Sequence, residues 1–386
     1  MIKTLMGSIR DYMKVAVATP LLVLGEVLCE MLIPFITANL IDAIKDGATV
    51  AEMLPTAGFL VLIALTSLAF GAAAGVTCSH ASCGFAKNLR HDLFYKIQTF
   101  SFANIDEFSS SSLVTRLTTD INNVQQAFMM IIRIAVRAPL VLIFAFTMAF
   151  IMGGKMACIF IIVVPILGIG LFSIIRLVMP LFRAVFNKYD ALNNSVQENI
   201  KGIRVVKSYV REDHEIEKFE KISTSIYNDF TFAEKLIAFN MPLMQFCMYA
   251  CMLLISWFGA RLIVSGSMTT GELTSMFSYA MQILMSLMMV AMVFVMITMA
   301  KASAERVAEI LDEQPDLHNP ANPIHEVKDG AIEFDDVSFS YKGDERKLAL
   351  KNVNLHIKAG QTVGILGGTG SAKSTLVQLI PRLYDT

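Results

Sequence analysis

The sequence predicts an α-helical membrane protein of six spans with long helical extensions, followed by the opening of an α/β domain built around a phosphate loop. Three observations carry that reading. Hydrophobic residues make up 55% of the 386 residues, and the mean hydropathy is +0.57. Apolar segments long enough to cross a bilayer recur in pairs. A glycine-rich run, GILGGTGSAKST, occupies 364–375 in a less apolar C-terminal stretch. Charged residues are only 17% of the chain, against about 25% in ordinary globular proteins, so lipid solvates its largest part. A net charge of −1 excludes the basic footprint of a nucleic-acid binder.

The first apolar segment, roughly 15–38, follows Lys3, Arg10 and Lys14. It exceeds a signal-peptide core and no small-residue cleavage site follows, so it reads as a retained membrane helix. The others are roughly 56–79, 128–152, 156–179, 238–263 and 275–300. Spans one and two, three and four, and five and six are joined by short links. Long connectors separate spans two and three, and spans four and five. The N-terminus and the two connectors hold sixteen Lys and Arg residues, whereas the short links hold two, Lys45 and Lys155. The positive-inside rule therefore places both termini and both connectors in the cytoplasm.

The connectors carry helical patterning. Phe85, Leu89, Phe94 and Ile97 keep helical spacing over 80–100 and extend span two. The 181–236 stretch continues span four and returns as span five. Its nine acids and nine bases read as a solvated face. Each connector resembles a stalk with a turn at its tip, near 105–112 and 205–213.

After a helical ASAERVAEILDE, the Pro- and Asn-rich 312–329 reads as a linker, dividing a membrane domain, 1–311, from an α/β segment, 330–386. In that segment AIEFDDVSFSY and LALKNVNLHI read as strands, and QTVGIL as a short strand entering the loop. SAKSTLVQLIPRL begins as a helix that Pro381 ends or bends.

Gly367, Gly368, Thr369, Gly370, Ser371, Ala372, Lys373, Ser374 and Thr375 follow phosphate-loop spacing with one departure. Backbone N–H groups of such a loop ring phosphates, Lys373 reaches the terminal ones, and the Ser374 hydroxyl ligates Mg²⁺. ATP with Mg²⁺ is the expected cofactor pair. The departure is Ala372, where glycine is usual. Its methyl either crowds the loop, with weakened binding, or is tolerated at a negative φ. Tyr341, ending VSFSY, is placed to stack on an adenine ring or to serve as an ordinary strand aromatic.

Cys29, Cys78, Cys83, Cys158, Cys247 and Cys251 form no disulfide or zinc framework and read as small apolar thiols. Glu26 and Glu30 share one face of span one, Arg133 and Arg137 one face of span three, and Arg176 lies near the end of span four. Ion pairing between the two faces is favoured over a polar lining for substrate or protons. Met281, Met285, Met288, Met289, Met292, Met296 and Met299 form a broad face of span six. It suits either varied hydrophobic ligands or packing.

These residues resemble those of the ATP-binding cassette (ABC) exporters. SSLVTRLTTDINNVQ (111–125) and ENIKGIRVVKSYVRED (198–213) resemble the family's first and second cytoplasmic loops. IEFDDVSFSY, with Tyr341, resembles the adenine-stacking strand, and GGTGSAKST (367–375) the Walker A loop. MMIIRIAVRAPL (129–140) and MPLFRAVFNKYDALNNSVQENI (179–200) are similar to one subunit of bacterial heterodimeric multidrug-type exporters. The resemblance covers essentially the whole chain. It implies a half-transporter in the bacterial plasma membrane, paired with a second half. Its cargo would be hydrophobic small molecules or lipids, driven by ATP at cassettes pressed by short coupling helices. It also implies that the Q-loop glutamine, signature motif, catalytic glutamate and switch histidine belong beyond Thr386. No catalytic residue is therefore expected within the 386. The alternative is an inert membrane subunit or gene remnant, and the coding sequence after codon 386 discriminates the two. An importer permease is disfavoured, because importers usually keep spans and cassette on separate chains.

Overall fold

The computed structural model describes residues 1–319, 322–324, 326, 329–341, 343–344 and 346–385, without the Arg183 side chain. Pro320, Ala321, His325, Val327 and Lys328 of the expected linker lie outside the described residues, as do Lys342, Glu345 and Thr386 of the expected α/β segment.

Long helices dominate. A short α1 (Ile2–Gly7) precedes α2 (Met13–Lys45) and α3 (Val50–Gln98). Two single-turn helices follow, α4 (Phe102–Glu107) and α5 (Ser110–Thr115), then a π-turn at Arg116–Asp120. The chain continues as α6 (Ile121–Gly153), α7 (Cys158–Ser208), α8 (Glu212–Ala238), α9 (Asn240–Val264) and α10 (Thr270–Asp312). Among the described residues, five continuous helical stretches are long and apolar enough to cross a membrane. One of them, Ser110–Ser208, holds two apolar segments. It is divided at Gly154, whose φ of +51° is a conformation that costs glycine little, and by a 3₁₀ turn through Ala157. Six apolar helices result: α2, α3, α6, α7, α9 and α10.

Both expected connectors end in turns. The second turns at 209–211, with Val210 at φ +49°. There α7 and α8 run side by side, joined by Lys188 to Asp229 at 2.5 Å and Lys218 to Glu198 at 2.9 Å. The balanced charges of this stretch thus cross-pair along two solvated helices. On α3 the buried stripe is Phe85, Leu89 and Leu93, whereas Phe94 is half exposed. A period of four residues, not the expected drift to Phe94, keeps one face turned inward.

The residues fall into two compact units. The larger comprises 12–82 and 127–299. Its core takes one stripe from each span at helical spacing: Val23, Val27 and Met31; Val141, Ala145 and Ala149; Phe160, Val163 and Leu167; Cys247, Cys251 and Ile255; Met276, Tyr279 and Ile283. The Tyr279 hydroxyl donates to the Met31 carbonyl at 2.9 Å and Ser275 to that of Pro34 at 2.6 Å, fastening α10 to α2. Thr269 and Glu272 form a reciprocal cap at the start of α10, and Asp42 accepts from the Gly271 N–H at 2.8 Å. A Cβ at Gly271 would collide with the Ala38 carbonyl, so this crossing requires glycine.

The smaller unit comprises 1–11, 83–126 and 300–386. Here the π-turn and α10 are braced by two crossed pairs. Arg306 binds the fully buried Asp120 bidentately at 2.5 and 2.8 Å, and Arg116 binds Glu309 at 2.7 Å. Burial alone would raise the Asp120 carboxyl. Hydrogen bonds from Arg306 and Ser303, with the charges of Arg306 and Arg116, outweigh it and hold the group below its ordinary range. A depressed carboxylate contributes stability above its unfolded value, about 4, and loses it as pH falls through the lower folded value. Amide exchange over 116–126 and 300–312, taken relative to its intrinsic rate at each pH, should therefore be flat from pH 7 to about 5 and accelerate only in stronger acid. Asp120→Asn should accelerate it at pH 7, by the equivalent of roughly 2–4 kcal/mol. Unchanged protection in that variant would remove the brace as a stabilising device.

The C-terminal part of this unit has two antiparallel strands, β1 (Ile332–Phe339) and β2 (Leu350–Ile357), and a short α11 (Lys373–Leu379). QTVGIL, expected as a third strand, pairs with nothing among the described residues and is exposed throughout. A parallel strand needs neighbours on both edges and helices on its faces, which two strands and one short helix do not supply.

Candidate nucleotide site

The phosphate-loop residues come together as a compact turn before α11. Gly370 has φ +85° and needs glycine, and a Cβ at Gly367 would sit 2.5 Å from the Ser371 Oγ, which would have to rotate away. The Lys373 ammonium curls back over the loop and donates to the Gly367 and Gly368 carbonyls at 2.9 and 2.7 Å. Ser371 Oγ lies 3.3 Å from the same nitrogen and donates to the Gly368 carbonyl at 2.9 Å. Residues 361–370 are solvent-exposed, which leaves the loop N–H groups open to a ligand. The Ser374 side chain is exposed and makes no hydrogen bond among the described residues. The donor set therefore fits a nucleotide phosphate chain, with Ser374 free for a divalent cation.

Ala372 has φ +57° and ψ +23°. The negative-φ alternative for this alanine does not hold, because the residue sits in the left-handed region at a cost of about 1–2 kcal/mol. Its carbonyl accepts the Leu376 N–H at 3.0 Å, so the strained conformation opens the helix.

Tyr341 lies against α11. Its hydroxyl is 2.9 Å from that of Thr375, which is buried, and 3.2 Å from Gln378 Oε1. Its ring meets Phe339 and Tyr384 edge-on at 4.9 and 5.2 Å and is 47% exposed. The strand aromatic thus reaches the phosphate-loop helix while leaving ring surface in solvent.

Sequence reasoning passed over Tyr384. It is buried with Phe339 and Leu350 in a small core that also includes Ala103 of α4. Its hydroxyl donates to Asp106 at 2.7 Å, and its ring approaches Phe102 at 6.2 Å. Burial, then the Asp106 carboxylate, push the hydroxyl up to about 12, so it stays a donor at neutral pH. The α4 helix is set by a reciprocal cap between Ser101 and Asn104, and Asn104 also reaches Glu313 at 3.0 Å. The capping pattern was readable in SFAN, but the pairing of Asp106 with a tyrosine 278 residues away was not.

In the membrane helices, Arg137 alone takes both acids. It pairs with Glu26, and with Glu30 at 2.7 Å through the other guanidinium nitrogen. Arg133 joins no ion pair among the described residues and lies over Gly75. The expected pairing of two faces is therefore concentrated on one arginine. Gly71 leaves the space that Glu26 occupies, since a Cβ there would sit 3.0 Å from its Oε1.

Residues 17–305 match the ABC transporter transmembrane region, and 350–386 match a second family model, described as ABC transporter. An uncharacterized ABC transporter ATP-binding protein of Bacillus subtilis, YfiB, is 36% identical over 98% of this chain and 65% of its own length. Another from the same organism, YknU, is 31% identical over 77% of this chain and 51% of its own length. An ATP-dependent lipid A-core flippase of Desulfotalea psychrophila is 29% identical over 78% of this chain and 52% of its own length. The chain thus spans about two thirds, or less, of the length of these relatives. Three-quarters of it matches one family model, and its remaining C-terminal residues carry the phosphate loop that goes with that model: the chain belongs to the ABC transporter family.

Proposed function

We propose that this chain is the membrane domain and opening cassette segment of one half of an ATP-driven exporter of hydrophobic or amphipathic compounds. It would work with a second half-transporter, as a heterodimer of the multidrug type, in a bacterial plasma membrane. The membrane domain would be 1–311, the linker 312–329 and the cassette segment 330–386. ATP would be held by Tyr341, the 367–375 loop and Lys373, with Mg²⁺ on Ser374. ATP supplies the free energy, and this chain's residues hold and sense it.

The observation that carries the reading is the bond from Tyr384 to Asp106. It follows the phosphate-loop helix directly and ends on α4, the short helix of the first connector. A shift of the nucleotide loop has a buried, polar-anchored route to that helix. The methionine face of α10 supports the substrate class, since Met281, Met285, Met289, Met292 and Met299 are all exposed. The flippase among the relatives is named for a lipid, which agrees with an amphipathic cargo.

Inverted membrane vesicles carrying the full reading frame and its partner should accumulate a fluorescent amphiphile with ATP, and not with Lys373→Ala. Absence of any ATP-dependent accumulation would favour the inert-subunit reading. Topology is checked separately. Single cysteines at Ser110 and Ser208, on a cysteine-depleted background, should resist impermeant thiol reagents in intact cells and react after lysis. Labelling from outside would reverse the orientation.

A further inference from the structure

We propose that a crevice between α7 and α10 binds the acidic headgroup of a bilayer phospholipid, with Arg176 as its counterion. The crevice is open, with a volume of about 310 Å³, and is lined by Phe172, Ile175, Arg176, Met179, Pro180 and Phe294. Five apolar side chains line this open crevice beside one exposed guanidinium. Acyl chain and headgroup acid are the two chemistries such a lining accepts together.

Position supports a lipid rather than a soluble anion. Arg176 lies eighteen residues after Cys158, where α7 begins. At ~1.5 Å per residue that is about 27 Å, close to the thickness of the hydrocarbon core. The guanidinium therefore sits at the boundary between acyl chains and headgroups, on the side where α7 runs on as the second connector. Phe294 of α10 lines the same crevice.

Charge supports an anion. The ion pairs of α7 and α10 include Lys188 with Asp229, Glu198 with Lys218, and Arg306 with Asp120. Among the described residues none involves Arg176. An arginine in a spanning segment without a protein acid needs another counterion, and a lipid phosphate matches its planar fork. An interfacial arginine that merely snorkels to water would need no wall from a second helix, yet Phe294 supplies one. This site is for resident lipid and does not depend on the identity of any transported compound.

The test is native mass spectrometry of the detergent-purified chain, titrated with phosphatidylglycerol and phosphatidylcholine. The unmodified chain should bind phosphatidylglycerol about tenfold more tightly, the worth of one charge-assisted hydrogen bond. Arg176→Gln should abolish that preference, weakening phosphatidylglycerol more than phosphatidylcholine, whose phosphate carries its own choline cation, while Arg176→Lys should keep part of it. Phe294→Ala should weaken phosphatidylglycerol severalfold by opening the wall. Arg133→Gln, which alters a second arginine without a protein acid, should leave the preference intact. Inorganic phosphate should not compete. A preference that survives Arg176→Gln, or is lost equally in Arg133→Gln, overturns the assignment. Competition by inorganic phosphate would make this a phosphate site and overturn the lipid reading. Monodispersity and helix content identical to the unmodified chain are required of each variant, and the lysine form separates loss of charge from loss of fold.

Discussion

Arg137→Met will be among the most damaging single substitutions in the membrane helices, and its damage will be largely reversed by neutralising two other residues. Arg137 is the cation for both Glu26 and Glu30, whose side chains are 12% and 32% exposed. One oxygen of Glu26 has no hydrogen-bond partner among the described residues even with Arg137 in place. Removing one member of a buried ion network leaves uncompensated charge and costs about 3–5 kcal/mol. Replacing the whole network with neutral groups of similar size is often neutral. Detergent-purified Arg137→Met should therefore melt far below the unmodified chain in a thermal scan. Glu26→Gln, Glu30→Gln and Arg137→Met combined should recover most of the loss. A combined variant as unstable as the single one would show that Arg137 acts through shape and not through charge.

The second large effect concerns nucleotide. Lys373→Ala should weaken ATP–Mg²⁺ binding to the purified chain by at least about tenfold, because it removes the ammonium that two loop carbonyls hold over the loop. Ala372→Gly should act in the opposite direction. Its left-handed conformation costs alanine about 1–2 kcal/mol, and glycine adopts it freely. If that strain limits the population of the binding conformation, relief tightens binding several-fold, up to roughly tenfold. Equal affinity for the alanine and glycine forms would show that the strain is the same in free and bound loops. Neither form of the 386-residue chain alone should release phosphate. Hydrolysis requires a positioned water and groups that stabilise transition-state charge, beyond what a phosphate loop contributes. Turnover that is sensitive to Lys373→Ala would place those groups on this chain or on a co-purifying partner.

Much of the membrane part was legible because hydropathy is a local property. A segment such as 128–152 is apolar enough to span whatever its neighbours do, and Gly153-Gly154 marks where it stops. The helix start at Thr269–Glu272 was also readable as a reciprocal cap, since both partners lie within four residues. The phosphate loop was readable for the same reason, as its glycines and Lys373 are contiguous. Failures occurred where an outcome depended on distant residues. QTVGIL has the composition of a buried strand, but its state depends on flanking strands, and none pairs with it among the described residues. Glu26 and Glu30 were matched to the right helix. Which arginine took them was decided by the rotation of α6 and by the space left at Gly71.

The sequence by itself determined that there are six apolar helices, that two of their connectors are long and helical, and that a phosphate loop follows on the same chain. These depend on composition and spacing within one turn or one span, where side-chain chemistry acts directly on the backbone. The tertiary structure alone decided that Tyr384 bonds to Asp106, that Arg306 and Arg116 brace the π-turn, that Ala372 is left-handed, and that Arg176 shares a crevice with Phe294. Each of those depends on elements brought together by packing. A packed interface selects one rotation and one depth for each helix from many that the hydropathy pattern alone would permit.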